Sequence, residues 1–192
     1  MTSANEIRAS FTDTTIRVYQ AYNTAIAHHA VTHQKFHGAP GFNPTRMTWI
    51  KPSFCWMAYR SGYSYKDANQ ARILAIDLHQ LKFLEILSEA VISDVGRMQP
   101  GECRKSDVVV QWDPERDVSL NRLEMRSLQV GLRGEMARRY AEGEFISAIT
   151  DVTEQFQSVK EALDSGLLDR AIELCPAEAV FETLPPRDQT LA

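Results

Sequence analysis

The 192-residue sequence predicts one α+β domain, built on a mixed or antiparallel sheet flanked by helices. Three observations lead there. Segments of strand and helix period follow one another as strand, helix, helix, strand, helix, strand, strand, helix, strand and helices, which is not the regular alternation of a doubly wound sheet. The length suits one domain that buries its own core without staples. The composition, 44% hydrophobic and 24% charged, is that of an ordinary globular protein.

Residues 1–12 are polar and are expected to be flexible, with the globular domain over 13–176 and a tail over 177–192. Thr15 to Ala21 (TIRVYQA) alternates and is rich in β-branched and aromatic residues, so it reads as a strand. Asn23 or Thr24 can cap a helix running to about Lys35, with Ile26, Ala30 and Val31 as its apolar stripe. HGAPGFNP (37–44) places two glycines and two prolines in a loop. Pro52 suits the first turn of a helix over Lys51 to Ser61, and Gly62 suits its end. On such a helix Ser53, Trp56 and Arg60 fall close to one face.

ARILAIDL (71–78) reads as a buried strand and His79 to Ile92 as one amphipathic helix. A loop over 93–106 leads to a strand over Val108 to Trp112, closed by Asp113-Pro114. Met125 to Leu132 forms the next strand, Glu135 to Ala141 a short helix, and Phe145 to Val152 a further strand. Asp151 with Glu154 resembles a capping box for a helix to about Asp164, and a last helix covers Leu167 to Leu174.

No run of apolar residues approaches membrane-spanning length, and MTSANEIRAS has no apolar leader core. The three cysteines are widely spaced with no CxxC, which fits a reducing cytoplasm. The net charge of −4 hides an asymmetry: residues 1–72 carry eight Lys/Arg against three Asp/Glu, and the rest thirteen against twenty-two. A basic first half can attract phosphates, while an acidic second half argues against broad coating of nucleic acid.

The chemistry concentrates in MTWIKPSFCWMAYRSG (47–62), where Trp49, Phe54, Trp56 and Tyr59 are interleaved with Lys51 and Arg60. Flat rings beside cations suit the wall of an anion pocket, and Ser53 sits where free helical N–H groups favour an anion. Gln20 and Tyr22 close the first strand and could face a ligand or simply pack. In QWDPER (111–116), Asp113 or Glu115 could act as a base or position a hydroxyl, with Arg116 beside them; the same residues could be turn and surface charges. His29, His33 and His37 have helical spacing but no metalloprotease glutamate, so an exposed polar face is expected and no metal. GxGxxG, Walker and GxSxG motifs are absent.

VYQAY (18–22), the 47–62 stretch, RILAI (72–76), VQWDPERD (110–117), RSLQVGL (126–132) and ITDVT (149–153) together resemble the domain of unknown function 4291 family of bacteria and fungi. The resemblance spans roughly residues 6–176. Cys55 stands where an aliphatic residue is expected and Ala58 where a larger one is. In layout alone, the opening strand, turn and helix look like those of ADP-ribosyltransferase-like folds, which hold NAD against a split mixed sheet. That likeness puts Gln20 in the first-strand position, and Gln129, Glu135 or Glu115 in the late acidic one; the His-Gly-Thr-like start is missing. It implies a nucleotide-binding, NAD-dependent transferase. Gln20, Asp113 and Glu115 would be catalytic, and Tyr22, Lys51, Ser53, Trp56, Tyr59, Arg60 and Arg116 would hold the cofactor. The alternatives are a non-catalytic module for nucleotide or RNA and a protein-interaction domain.

Overall fold

The computed structural model describes residues 5–93 and 106–182. In chain order the elements are β1 (Arg8–Ala9), β2 (Thr15–Tyr22), α1 (Thr24–His33), β3 (Thr48–Ile50), α2 (Phe54–Ser61), β4 (Arg72–His79), α3 (Gln80–Ser88) and β5 (Ala90–Ile92). There follow β6 (Val108–Arg116), β7 (Arg122–Leu132), α4 (Gly134–Ala141), β8 (Ile146–Asp151), α5 (Thr153–Asp164), α6 (Leu168–Leu174) and β9 (Ala179–Val180). The result is a single-domain α+β fold with open mixed sheets.

One sheet has the order β2-β4-β8 and is antiparallel throughout. The other has the order β3-β7-β6-β5, antiparallel except where β5 runs parallel to β6. The two meet where Tyr19 and Lys51 exchange backbone hydrogen bonds, Tyr19 N–H to the Lys51 carbonyl at 2.8 Å and Lys51 N–H to the Tyr19 carbonyl at 3.3 Å.

Strand alternation decides what lies on each face. The even-numbered residues Ile16 and Val18 of β2, Ile50 of β3, Val108 and Val110 of β6, and Leu128, Val130 and Leu132 of β7 enter the larger core with residues of α1, α3 and α4. On the opposite face, α2, α5 and α6 cover the β2-β4-β8 sheet through Tyr19, Ile73, Ala75, Phe54, Met57, Phe156 and Val159. The corresponding face of the second sheet carries Trp49, Gln111, Asp113, Ser127, Gln129 and Gly131, none of which belongs to either core cluster.

Four sequence expectations are corrected. The helix expected over Lys51 to Ser61 begins at Phe54, because Ser53 is its N-cap and Lys51 is held by β2. The helix expected to Ile92 stops at Ser88, and Ala90–Ile92 leaves it to pair with β6. β6 continues through Pro114 to Arg116, past its expected end, with a register shift after Pro114; β5 pairs only with its first residues, so the proline leaves no bond to a second neighbour unmade. Finally, segments expected to be loose at the two ends pair with each other: Arg8 lies opposite Val180 and Ala9 opposite Ala179, and Phe181 is buried. Most of the expected loop over 93–106 lies outside the described residues.

Candidate functional site

Lys51 follows β3 on the Trp49 side of the second sheet, and only 6% of it is exposed. Its ammonium has one hydrogen-bond partner, the Trp49 carbonyl at a long 3.4 Å, and among the described residues no carboxylate lies within ion-pair distance of it. Burial, reinforced by the positive charge of Arg60, lowers its pKa from 10.5 to about 8; Asp113 opposes the shift.

Asp113 shares that sheet face by strand parity. Its carboxylate accepts a short hydrogen bond from Gln129 Nε2, and Gln129 also donates to Gln111 Oε1 at 3.0 Å. Burial raises the Asp113 pKa, with the Gln129 hydrogen bond and Lys51 pulling the other way. Above this polar row the Trp49 indole lies over Gly131, where a Cβ would stand 3.0 Å from the ring and 2.9 Å from Met47 Sδ. A side chain at 131 would therefore have to move the ring or the thioether. Gly131 carried no signal of this role in the sequence.

α2 borders the face. Ser53 Oγ accepts from Trp56 N–H and donates to Glu115 Oε1, both at 3.0 Å. The same Glu115 oxygen accepts from Arg116 N–H at 2.8 Å, and only 6% of Glu115 is exposed. Phe54 N–H donates to Glu178 Oε1 at 2.7 Å. Two carboxylates thus stand at the positive end of α2. Burial, with a smaller contribution from Glu115, pushes Glu178 up from 4.5 to about 8. Glu178 was not a sequence candidate, since it lies in the segment read as tail.

Trp56, Tyr59 and Arg116 come together as one stack. The Trp56 and Tyr59 rings are 5.1 Å apart and nearly parallel, and the Arg116 guanidinium carbon sits 3.9 Å over the Tyr59 ring. Trp56 Nε1 and Arg116 Nε are buried without a hydrogen-bond partner. Arg60 is exposed in the last turn of α2. Seven residues of helical rise set it roughly 10 Å from Ser53, so these two do not form the single cluster that the expected helix face suggested.

Gln20 and Tyr22 are on the other side of the sheet. Gln20, 4% exposed, donates to the Trp49 carbonyl at 3.0 Å and accepts from Tyr140 O–H at 2.7 Å. Tyr22 packs its ring on Phe36 and Phe42, and burial raises its pKa. The Tyr22 ring belongs to the larger core, whereas Gln20 Nε2 and the Lys51 ammonium donate to the same Trp49 carbonyl oxygen, so Gln20 reaches the Lys51 neighbourhood through that shared acceptor. Sequence alone does not say which face of a strand the helices cover.

His29 and His33 stack at 4.4 Å, and His29 Nε2 lies 3.0 Å from the His37 carbonyl oxygen, on a surface remote in sequence from these strands. Two open depressions lie elsewhere, one of about 370 Å³ lined by Pro114, Arg122, Glu124 and Arg126, and one of about 390 Å³ beside Thr24, His28 and Arg72. No described helix is long and apolar enough to cross a membrane.

The family model Domain of unknown function (DUF4291) matches residues 6–181. The chain belongs to the DUF4291 family. All the residues of the Lys51 face and of the α2 boundary, including Glu178, fall inside the DUF4291 match. No curated protein matches the chain.

Proposed function

We propose that this DUF4291 protein binds a nucleotide on the face of β3, β7 and β6 that carries Lys51 and Asp113, and that it is an NAD-dependent, ADP-ribosyltransferase-like enzyme. The observation that carries the binding part is the buried ammonium of Lys51, which has one long hydrogen bond and no counter-ion among the described residues. A cation taken out of water without an anion is costly, and a phosphate would relieve that cost. Arg60 adds positive charge nearby, as its effect on Lys51 indicates. Trp49 offers a ring beside the cation. Asp113 is the carboxylate best placed to meet a ribose hydroxyl or a developing oxocarbenium charge, because Glu115 is already engaged by Ser53 and by the Arg116 amide. Gln20 has no part in this reading, being consumed by Tyr140 and Trp49. The transferase part rests on the split arrangement of the two sheets, which resembles the layout of the ADP-ribosyltransferase-like folds.

The test is calorimetric titration with NAD, ADP-ribose and pyrophosphate, alongside an assay of nicotinamide release. Binding should weaken by about 100-fold in Lys51→Met, the effect of a charge-assisted contact of roughly 2–3 kcal/mol. Lys51→Arg should retain part of it. No binding of any of the three would sink the proposal. Binding without nicotinamide release, and with single-stranded RNA competing, would favour the non-catalytic nucleotide or RNA module. The observation behind that second reading is that both carboxylates are already engaged, Asp113 by Gln129 and Glu115 by Ser53 and the Arg116 amide, which suits holding a ligand rather than transferring a group.

A further inference from the structure

We propose that Cys55 and Cys175 are a redox modification site, a dithiol that closes to a reversible disulfide on exposure to a hydroperoxide. Cys55 is the second residue of α2, and Cys175 ends α6 in an extended conformation, with φ −70° and ψ 143°. The two are far apart in sequence and adjacent in space. The amide just before Cys55, that of Phe54, donates to Glu178 three residues beyond Cys175, which ties the segment after α6 against the start of α2. Both side chains pack against the same cluster of Tyr19, Phe54 and Phe156, and both are only half-buried, so a small oxidant can reach them.

The Cys175 thiol donates to the Ala171 carbonyl at 3.4 Å, and the two thiols interact with each other. That interaction lowers the pKa of Cys175 and raises that of Cys55, where burial adds to the rise. Cys175 is therefore the attacking sulfur. Its thiolate attacks one peroxide oxygen, the O–O bond breaks, and the departing alkoxide or hydroxide takes up a proton. The sulfenic acid left on Cys175 is then attacked by Cys55. The S–S bond forms, the S–O bond breaks, and the leaving hydroxide departs as water with the Cys55 proton. Two thiols and one hydroperoxide become a disulfide, an alcohol or water, and one further water.

The link would fasten the start of α2 to the segment that carries Glu178. Because it closes a loop of roughly 120 residues, it should raise the melting midpoint of the full chain by roughly 5 °C or more. The experiment uses the full chain with Cys103→Ser, so that only these two thiols remain. After hydrogen peroxide and alkylation, non-reducing peptide mapping should find the 55 and 175 peptides joined and two hydrogens lighter, reverting with dithiothreitol. The link and the rise in midpoint should both vanish in Cys55→Ser and Cys175→Ser, with Cys55→Ala as the second variant if the serine there fails to fold. Two free alkylated thiols after peroxide, or separate sulfinic acids without a joined peptide, would overturn the proposal. A joined peptide without a change in midpoint would overturn its role as a staple.

Discussion

On the β2-β4-β8 sheet, Arg17 clasps Asp77 through two hydrogen bonds at 2.8 and 2.9 Å, and Arg72 meets Asp151 with Nε at 2.8 Å and Nη2 at 2.6 Å. On the β3-β7-β6-β5 sheet, Lys51 is more deeply buried than either arginine and meets a single carbonyl. The first sheet holds its charges in cross-strand pairs that need nothing from outside. The second leaves a desolvated cation facing polar amides and one carboxyl group. The contrast separates charges that serve the fold from a charge the fold tolerates at a cost.

The pH dependence of stability should expose this difference most strongly. Lys51 titrates at about 8 in the folded chain against 10.5 ordinarily, so between those values the unfolded state holds the extra proton and stability rises with pH. Glu178 does the reverse: with a folded pKa of about 8 against 4.5, the folded state holds the extra proton, and stability falls as pH rises from 4.5 to 8. A minimum near pH 8 is expected in urea-unfolding free energies, with each limb on the order of 3 kcal/mol. Above pH 10 the buried tyrosines Tyr19, Tyr22 and Tyr140, whose ionisation burial opposes, turn the curve down again. Lys51→Met should flatten the rising limb and Glu178→Gln the falling one. A monotonic curve through pH 8 would mean that at least one of the two groups is not buried as the fold requires.

Next in size, Asp151→Ala should cost about 3 kcal/mol at pH 7, measured by the same method, because it removes three contacts at once. Its carboxylate accepts from Arg72, from the Thr153 amide at 3.0 Å and from the Thr153 hydroxyl at 2.6 Å. Lys51→Met should have the opposite sign and stabilise the ligand-free chain by about 2 kcal/mol. If both variants destabilise, the comparison between the sheets fails. Tyr140→Phe should cost about 1–2 kcal/mol, read from the same urea-unfolding curves, by leaving the Gln20 oxygen without its donor. The smallest effect belongs to Arg138→Ala, whose partner Glu135 is as exposed as itself; no measurable change in midpoint is expected.

The sequence revealed the fold best where a strand's own residues decide it. β2 and β4 appear within a residue of their expected ends because their β-branched and apolar runs fit a buried pleat regardless of context. β5 was hidden because Ala90, Val91 and Ile92 prolong the apolar period of α3, and only the distant Val108–Val110 draws them into a sheet. The candidate site shows the same division. Lys51, Trp56, Tyr59 and Arg116 could be singled out from the mixture of rings and cations, and three of them do stack. The engagement of Gln20 by Tyr140 could not, because it depends on which sheet face receives α4. Glu178 escaped for a similar reason: its partner, the Phe54 amide, is 124 residues away.

The pairing of Arg8 with Val180 also bears on how the protein is made. A chain still emerging from the ribosome has its first strand early and that strand's partner last. Until Phe181 is out, Phe11 and Phe83 lack the ring that packs against both, and α2 lacks one of the two carboxylates at its start. Translation that stops short of Glu178 would release a protein with both sheets' residues present and its final closure missing, a natural substrate for chaperones and proteases.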